Sequence, residues 1–259
     1  MPINFHDERN RTTYTTRIAD ESWVNCMEEH VVISNKHIAD IGCGGGIYSK
    51  ALADMGAASV TGVDFSEEML KGAIENCKDI NHVSFLLGDA YHTNMPANRF
   101  DIVLERALIH HLNDLNECFQ EAARILKKDG LLIVQDRTPQ DCSFPGDENH
   151  IRGYFHTKYP KLIEKEMTRR HQSIDVRNAL ESNGFRVSEE VQLWETRRVY
   201  DSLDALKADL LMRTGRSILH ELTDDELHEL VLFILGQLKG ITNPIVEKDC
   251  WTVWFAIKN

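Results

Sequence analysis

Two patterns of apolar and polar residues alternate along the first half of the chain. Short apolar runs predict strands, and stretches with apolar residues spaced three or four apart predict helices. Strands are predicted at residues 36–41, 59–63, 83–87, 100–104 and 131–135, with helices at residues 48–55, 67–78 and 115–126. This alternation predicts right-handed β–α–β units and a parallel sheet with helices on both faces. Ser66 is the predicted cap of the second helix, and residues 127–130 are a predicted turn.

The second half of the chain has a different organisation. Residues 138–174 are mostly polar and aromatic and carry no strong strand signal. Helices are predicted at residues 174–182, 203–212 and 224–238, strands at residues 185–194 and 251–257, and a further helix at residues 21–31, before the first strand. Residues 138–174 and 200–245 interrupt the strand–helix order. We interpret them as mostly helical insertions over the carboxyl ends of the strands, where such folds bind ligands.

Composition and charge narrow the class of protein. The chain has 259 residues, of which 42% are hydrophobic and 27% charged, as in a globular protein with one large α/β domain. Its formal net charge is −12, and its adjacent arginines, at 169–170 and 197–198, form no long basic stripe. This charge argues against a nucleic acid partner, which would need a dense basic surface.

The chain carries no sequence signal for a membrane or for secretion. No apolar run reaches the roughly 18–20 residues that span a bilayer. Residues 1–16 are polar and lack the apolar core of a secretory signal, which favours a cytoplasmic protein. The six scattered cysteines form no C-x-x-C pair and no Cys/His cluster with zinc spacing. We therefore expect free thiols and no metal site.

The sharpest motif is a glycine-rich loop between the first strand and the next helix. Residues 40–46 read D-x-G-x-G-x-G, with glycines at 42, 44 and 46. The nicotinamide fingerprint G-x-G-x-x-G would place its third glycine at position 47, which is Ile47. Asp40, two places before the first glycine, suits a ligand with a cationic end better than a pyrophosphate. The alternative is a glycine-rich turn that binds no ligand.

A second acidic residue, Asp64, ends the second predicted strand. A carboxylate at this position can accept hydrogen bonds from both hydroxyls of a ribose. It can instead cap the helix that follows Ser66.

Together these segments resemble class I S-adenosylmethionine-dependent methyltransferases. Residues 40–46 resemble motif I of that family, residues 63–64 its acidic loop, and residues 88–90 its adenine-binding segment. Residues 100–103 and 109–112 resemble the fourth-strand motif of the ubiquinone and menaquinone biosynthesis subgroup, and residues 126–132 the turn into the fifth strand. The resemblance covers about residues 36–137 and implies the cofactor S-adenosylmethionine, with S-adenosylhomocysteine as its product.

The family resemblance also implies a fold and a domain organisation. We expect a Rossmann-like α/β fold whose sheet has seven mostly parallel strands, with residues 251–257 inserted antiparallel between the fifth and sixth. Helices would cover both faces of the sheet, with helical lid insertions. The chain would form one methyltransferase domain, comprising an N-terminal helical segment (1–35), a cofactor-binding half (36–137) and the lid insertions (138–174 and 200–245).

Carried onto this sequence, the resemblance implies a set of cofactor-binding residues. They are Asp40, Gly42, Cys43, Gly44, Gly46, Asp64, Phe65, Met69, Asp89, Ala90, Glu105, Arg106 and Arg17. Glu105 departs from the small or neutral residue usual at its position, and contacts there are expected mostly from the backbone. Arg17 either pairs with the cofactor carboxylate or is an exposed surface residue.

Candidates for catalysis and acceptor binding are less specific. His110 or His111 is a candidate general base, and the alternative is a histidine pair that packs or hydrogen-bonds at a helix start. Transfer from a sulfonium chiefly needs in-line positioning, so a strong base is not required for many acceptors. Candidate pocket residues, for which core packing or exposed charge is the alternative, are Arg152, Tyr154, Phe155, His156, Trp194 and Arg197.

The sequence therefore favours a methyltransferase that acts on a small molecule, with a protein acceptor as a weaker alternative. Two other functions remain open. One is a non-catalytic S-adenosylmethionine-binding regulatory protein, because the family has no universal catalytic residue. The other is a nicotinamide-dependent oxidoreductase, against which the glycine spacing and Asp40 argue.

Overall fold

A computed structural model describes residues 18–241 and 244–259 of the chain. Its sheet has seven strands in the order β3-β2-β1-β4-β5-β7-β6. In chain order they are β1 (His37–Ile41), β2 (Ser59–Asp64), β3 (Val83–Leu87), β4 (Phe100–Arg106), β5 (Leu126–Asp136), β6 (Phe185–Tyr200) and β7 (Ile245–Lys258). The pairs β1–β2, β1–β4, β2–β3 and β4–β5 are parallel, and β7 runs antiparallel to β5. The position of β7 between β5 and β6 confirms the expected sheet.

Several helices begin at a residue whose side chain caps the first turn. Ser66 accepts a hydrogen bond from the backbone N–H of Met69, which confirms the predicted cap, and Asp20, Asp114 and Thr223 act in the same way. In chain order the helices are α1 (Glu21–His30), α2 (Ile47–Asp54), α3 (Glu67–Asn76), α4 (Leu115–Ile125), α5 (Pro139–Cys142), α6 (Ile151–Lys158), α7 (Lys161–Thr168), α8 (Ser173–Ser182), α9 (Leu203–Leu211) and α10 (Asp224–Gln237).

The central strands separate two apolar cores because successive side chains of a strand point to opposite faces. Ala39, Val103 and Val134 pack on one face with residues of α4 and α8. Ile38, Leu104 and Ile133 pack on the other face with residues of α1 and α2. These strands are buried on both faces, which is why they read as continuous apolar runs in the sequence.

Three strands are longer than their apolar runs predict. The helix α4 leads directly into β5, and Phe100 pairs with Leu126 whereas Ile102 pairs with Leu131, so the predicted turn at 127–130 bulges out of β5. The β6 strand continues to Tyr200, and β7 begins at Ile245. Charged side chains interrupt the apolar pattern in the extensions of β6 and β7, so a prediction from hydrophobicity alone ends these two strands too early.

The described residues divide into two compact units. The first, here called the sheet unit, contains residues 18–136, 171–193 and 252–259. The second, here called the insertion unit, contains residues 137–170, 194–241 and 244–251. Most of the two predicted insertions belong to this unit, except residues 171–174, and helices α6, α7, α9 and α10 share an apolar core there. Phe155 lies fully buried in that core, so its side chain is structural.

Two sequence expectations concern the thiols and the membrane. All six cysteines are free and buried. Over residues 18–241 and 244–259, no helix combines the length and the apolar character that crossing a bilayer requires.

Candidate functional site

The glycine-rich loop is fastened to the carboxyl end of β2. The backbone N–H groups of Gly42 and Cys43 both donate to the carbonyl oxygen of Val63, at 2.8 and 3.0 Å. Gly42, Gly44 and Gly46 have φ angles of 73°, 51° and 75°, in the left-handed region that favours glycine. The loop is therefore a fixed turn, and each of its three glycines is needed for its conformation.

The surroundings of the three glycines differ. A Cβ atom added to Gly46 would lie 3.0 Å from the Cβ of Ala73, and one added to Gly42 would lie 3.0 Å from a methyl group of Leu108. A Cβ atom added to Gly44 would meet no described atom within 4 Å. Gly42 and Gly46 thus permit close packing within the protein, whereas Gly44 borders open space among the described residues.

Asp64 links this loop to the start of α3. Its Oδ2 atom accepts a hydrogen bond from the backbone N–H of Gly44, and its Oδ1 atom accepts one from Ser66, both at 2.9 Å. Asp64 therefore supports the helix start, as the capping alternative anticipated, and also holds the loop. Because each carboxylate oxygen can accept two hydrogen bonds, a ribose contact is compatible with both roles.

Asp40 is buried beneath the glycine loop and does not face solvent. Its Oδ2 atom accepts a hydrogen bond from the hydroxyl of Ser49 at 2.6 Å. Burial raises the pKa of Asp40 to about 6, against the opposing effects of Ser49 and the Arg106 charge. The side chain therefore ties β1 to α2, and it supplies a negative charge under the loop only when ionised.

Glu105 and Arg106, at the end of β4, point to opposite faces of the sheet. The thiol of Cys118 donates to Glu105 at 3.4 Å, and burial raises the pKa of Glu105 to about 8. The guanidinium carbon of Arg106 lies 3.9 Å from the ring centroid of Tyr48, as in a cation–π contact. Since the Glu105 side chain is buried in the core, only its backbone is available for a ligand contact at this position.

The predicted adenine segment combines exposed and buried residues. The Oδ1 atom of Asp89 accepts hydrogen bonds from the N–H groups of Tyr91 and His92, both at 2.8 Å, and its side chain is exposed. Phe65 is 52% exposed, whereas Met69 and Ala90 are buried. Asp89 and Phe65 are therefore accessible to a ligand, while the side chains of Met69 and Ala90 pack inside the protein.

His110 forms a pair with the carboxylate of Asp136, the last residue of β5. Its Nδ1 atom is 2.8 Å from Oδ2 of Asp136, and its backbone N–H donates to the same oxygen at 3.2 Å. The side chain of Asp136 is almost completely buried. With an ionised Asp136 as the acceptor, Nδ1 carries the proton of a neutral ring, and Nε2 then has the lone pair that a general base requires.

Sequence reasoning placed His110 beside His111 and missed Asp136 as its partner. The two imidazole rings do lie close together, with centroids 3.9 Å apart. The signal that could have revealed this pair is strand order. Because β4 and β5 are parallel neighbours, the turn after β4 and the last residue of β5 meet at one edge of the sheet.

The predicted contact at Arg17 lies outside the described residues. Among those described, no group of three or more His, Cys, Asp or Glu side chains could hold a metal ion.

Comparison with known proteins agrees with this geometry. A family model described as a methyltransferase domain matches residues 39–134, which contain the glycine loop, Asp64, Asp89 and the end of β4. A ubiquinone biosynthesis O-methyltransferase of Coxiella burnetii is 34% identical over 108 residues, which are 41% of this chain and 46% of the relative. The chain thus spans about half the length of the curated relatives it matches.

Solved structures with this fold cover more of the chain. A protein of Anabaena variabilis, assigned as a methyltransferase of an antibiotic biosynthesis pathway, superposes with a TM-score of 0.70 and 21% identity over 93% of this chain and 99% of that one. Phosphoethanolamine N-methyltransferase 2 of Haemonchus contortus, in complex with S-adenosyl-L-methionine, has a TM-score of 0.61 and 17% identity over 99% of this chain and 60% of that one. A model of a methyltransferase domain thus matches residues 39–134, and the solved structures show the same fold over most of the chain.

Proposed function

We propose that the chain transfers the methyl group of S-adenosylmethionine to a small-molecule acceptor. The observation that carries this proposal is the glycine loop, which borders open space at Gly44 and is held there by Asp64. A loop that is fixed but uncovered is ready to receive a ligand without a cost of ordering. The matching domain model and the fold of its solved neighbours support the same cofactor.

The accessible residues of the loop region fit the parts of this cofactor. Asp64 would accept the ribose hydroxyls, while Asp89 and the exposed ring of Phe65 would bind the adenine. When bound, the cofactor supplies a methyl group on a cationic sulfur, which an electron pair of the acceptor can attack directly. The role of the chain is then to hold the two reactants in line, which is a large part of such catalysis.

His110 and Asp136 would handle the proton when the acceptor is a hydroxyl. The Nε2 atom of His110 would take the proton of the hydroxyl as the oxygen becomes a methyl ether. Asp136 would keep the ring oriented and stabilise its protonated form. The relation to a ubiquinone biosynthesis O-methyltransferase supports a hydroxyl acceptor, although the shared region covers about half of that protein.

The two insertions remain predicted to form a cover that excludes water and selects the acceptor. The corresponding test is hydrogen exchange at residues 138–174 and 200–245 with and without S-adenosylmethionine. Protection of both segments by the cofactor supports a cover, and unchanged exchange in both contradicts it.

Transfer of label from the methyl group of S-adenosylmethionine, with a panel of small hydroxyl and amine acceptors, tests the proposed reaction. We expect label in at least one acceptor and an equal amount of S-adenosylhomocysteine. A matched panel of proteins separates the small-molecule proposal from protein methylation. Tight cofactor binding without transfer to any acceptor would favour the regulatory alternative.

A further inference from the structure

His110 lies in a single turn of 3₁₀ helix between β4 and α4. The turn spans Ile109–His111 and contains two backbone hydrogen bonds, at 2.9 and 3.1 Å. A helical piece of this length is weakly held by its own hydrogen bonds. Its position, and with it the position of the His110 ring, therefore depends on the groups that bind the turn from outside.

The contact with Asp136 depends on the backbone of this turn as well as on the imidazole ring. Both the N–H and the Nδ1 atom of His110 lie within hydrogen-bond distance of Oδ2 of Asp136, at 3.2 and 2.8 Å. A displacement of the turn would lengthen both contacts together. Residues that fix the turn thus also fix the direction of the His110 ring.

Tyr91 holds the chain directly after the turn. Its phenol oxygen accepts hydrogen bonds from the backbone N–H groups of Asn113 and Asp114, at 3.2 and 3.4 Å. Asp114 caps α4, and N–H groups at a helix start have no acceptor within the helix. The ring of Tyr91 is half-buried against the same apolar core as α4. Tyr91 therefore anchors the junction between the turn and α4 to the core.

His171 holds the other end of the turn. Its Nε2 atom lies 3.0 Å from the carbonyl oxygen of Ile109, the residue before His110. Because a carbonyl oxygen only accepts, Nε2 of His171 carries a proton and donates it. His171 precedes α8, which packs into the core through Val176 and Leu180. The donor is thus carried by a packed part of the sheet unit.

Tyr91 also contacts the segment that resembles the adenine site. Its backbone N–H donates to Oδ1 of Asp89 at 2.8 Å, while its side chain reaches the start of α4. A substitution that removes only the phenol oxygen leaves this backbone contact in place. The hold on the His110 turn can therefore be tested without removing the partner of Asp89.

We propose that Tyr91 and His171 are positioning residues, which hold the turn so that His110 stays hydrogen-bonded to Asp136. This inference rests on the proposed function, in which Nε2 of His110 takes the proton of a hydroxyl acceptor. A general base must lie within hydrogen-bond reach of the proton it takes, and a misplacement of about 1 Å can cost roughly a hundredfold in rate. Tyr91 and His171 act through His110 and do not take the proton themselves.

Nuclear magnetic resonance of the whole chain, labelled with ¹⁵N-histidine and without methyl donor, tests the hold on His110. The measured quantity is the rate at which the Nδ1 proton of His110 exchanges with water, and His110→Gln identifies its resonance. Tyr91→Phe removes two hydrogen bonds of the turn, and we expect about tenfold faster exchange or more. His171→Leu removes one, and we expect about threefold to tenfold faster exchange.

Two further variants are the controls for this measurement. His171→Gln keeps an N–H donor near the position of Nε2 and should restore slow exchange. Tyr159→Phe removes a hydroxyl that donates to Glu229 in the insertion unit and should leave the exchange unchanged. If Tyr91→Phe and His171→Leu both exchange at the wild-type rate, or if the wild-type proton exchanges too fast to be observed, the proposal is wrong.

Kinetics with a hydroxyl acceptor separate positioning from a general structural role. Tyr91→Phe should lower kcat about tenfold and leave the KM of S-adenosylmethionine unchanged. It should cause no further loss when combined with His110→Gln, because residues that act through one group are not additive. An equal loss in both backgrounds would contradict the proposal. Calorimetry with S-adenosylmethionine reports on the proposed function separately, since absence of binding would refute that function and leave the exchange result valid.

Discussion

The Oδ2 atom of Asp64 accepts a hydrogen bond from the backbone N–H of Gly44 at 2.9 Å, across the carboxyl ends of β1 and β2. Gly44 is the loop glycine that borders open space. The same carboxylate accepts from the N–H of Ser66 through Oδ1. One side chain therefore fixes the ligand-facing loop and the start of α3 together, before any cofactor binds.

Asp64→Ala is expected to weaken S-adenosylmethionine binding by at least about tenfold, because hydrogen bonds to a charged group contribute roughly 1.5–3 kcal/mol each. The ribose does not change during methyl transfer, so the loss should affect the KM of the cofactor rather than kcat. The melting temperature should also fall, since two backbone N–H groups lose their acceptor. Calorimetry and thermal unfolding of the same samples measure both effects.

Asp64→Asn is the matched variant. Its single carbonyl oxygen can accept from only one side, so either Gly44 or Ser66 faces an NH₂ group. We expect an intermediate affinity. Unchanged affinity in a folded Asp64→Ala variant would mean that Asp64 only supports the loop and the helix start.

The substitutions Gly44→Ala and Gly46→Ala distinguish a loss of cofactor binding from a loss of packing within the protein. Both substitutions place alanine at a positive φ, which costs about 1–2 kcal/mol. Gly46→Ala also drives a methyl group against Ala73 and should lower stability more. The methyl group of Gly44→Ala meets no described atom within 4 Å. If the cofactor binds against this loop as proposed, the substitution should reduce cofactor affinity more strongly than stability. Denaturant unfolding and calorimetry decide this, and equal effects of the two substitutions on both quantities would contradict it.

His110→Gln is expected to lower kcat/KM for a hydroxyl acceptor by about a hundredfold or more, the usual contribution of a general base. The cofactor affinity should stay unchanged. His111→Gln is the control, because the contact with Asp136 belongs to His110. A variant at His110 with the full rate would exclude it as the base.

Glu105→Gln should change how stability depends on pH. Burial raises the pKa of Glu105 to about 8 from an ordinary value of 4.5, so the folded protein binds this proton more tightly than the unfolded chain. Its contribution is therefore fully present below about pH 4.5 and is lost as the pH rises towards 8, at about 1.4 kcal/mol per pH unit. Glutamine removes this slope. Denaturant unfolding of both proteins between pH 6.5 and 8 measures it, and parallel curves would show that Glu105 ionises without penalty.

The sequence predicts the order of the elements well because buried parallel strands read as short apolar runs. The extensions of β6 and β7 escape prediction because they carry Arg197, Glu247 and Asp249, which are charged yet buried. Hydrophobicity alone does not show that a buried acid on one strand forms an ion pair with a buried arginine on another.

The candidate site is predicted in part. Gly44 and Asp64 can be recognised in the sequence as parts of a motif, because the glycine-rich turn requires these residue types at fixed positions. The pairing of His110 with Asp136 joins positions 26 residues apart and depends on strand order. The side chains of Met69 and Glu105 are buried, although both were predicted to contact the cofactor. Whether a side chain points into the core depends on the face of the helix or strand on which it lies, and a family motif does not specify that face.

The measurement that tests the central claim most directly compares ligands by thermal unfolding and calorimetry on the wild-type chain. S-adenosylmethionine, S-adenosylhomocysteine and NADH are each titrated under the same conditions. We predict that both sulfur nucleosides bind and raise the melting temperature and that NADH does neither. Stabilisation by NADH, with no response to either sulfur nucleoside, would contradict the assignment of the glycine loop to a methyltransferase cofactor.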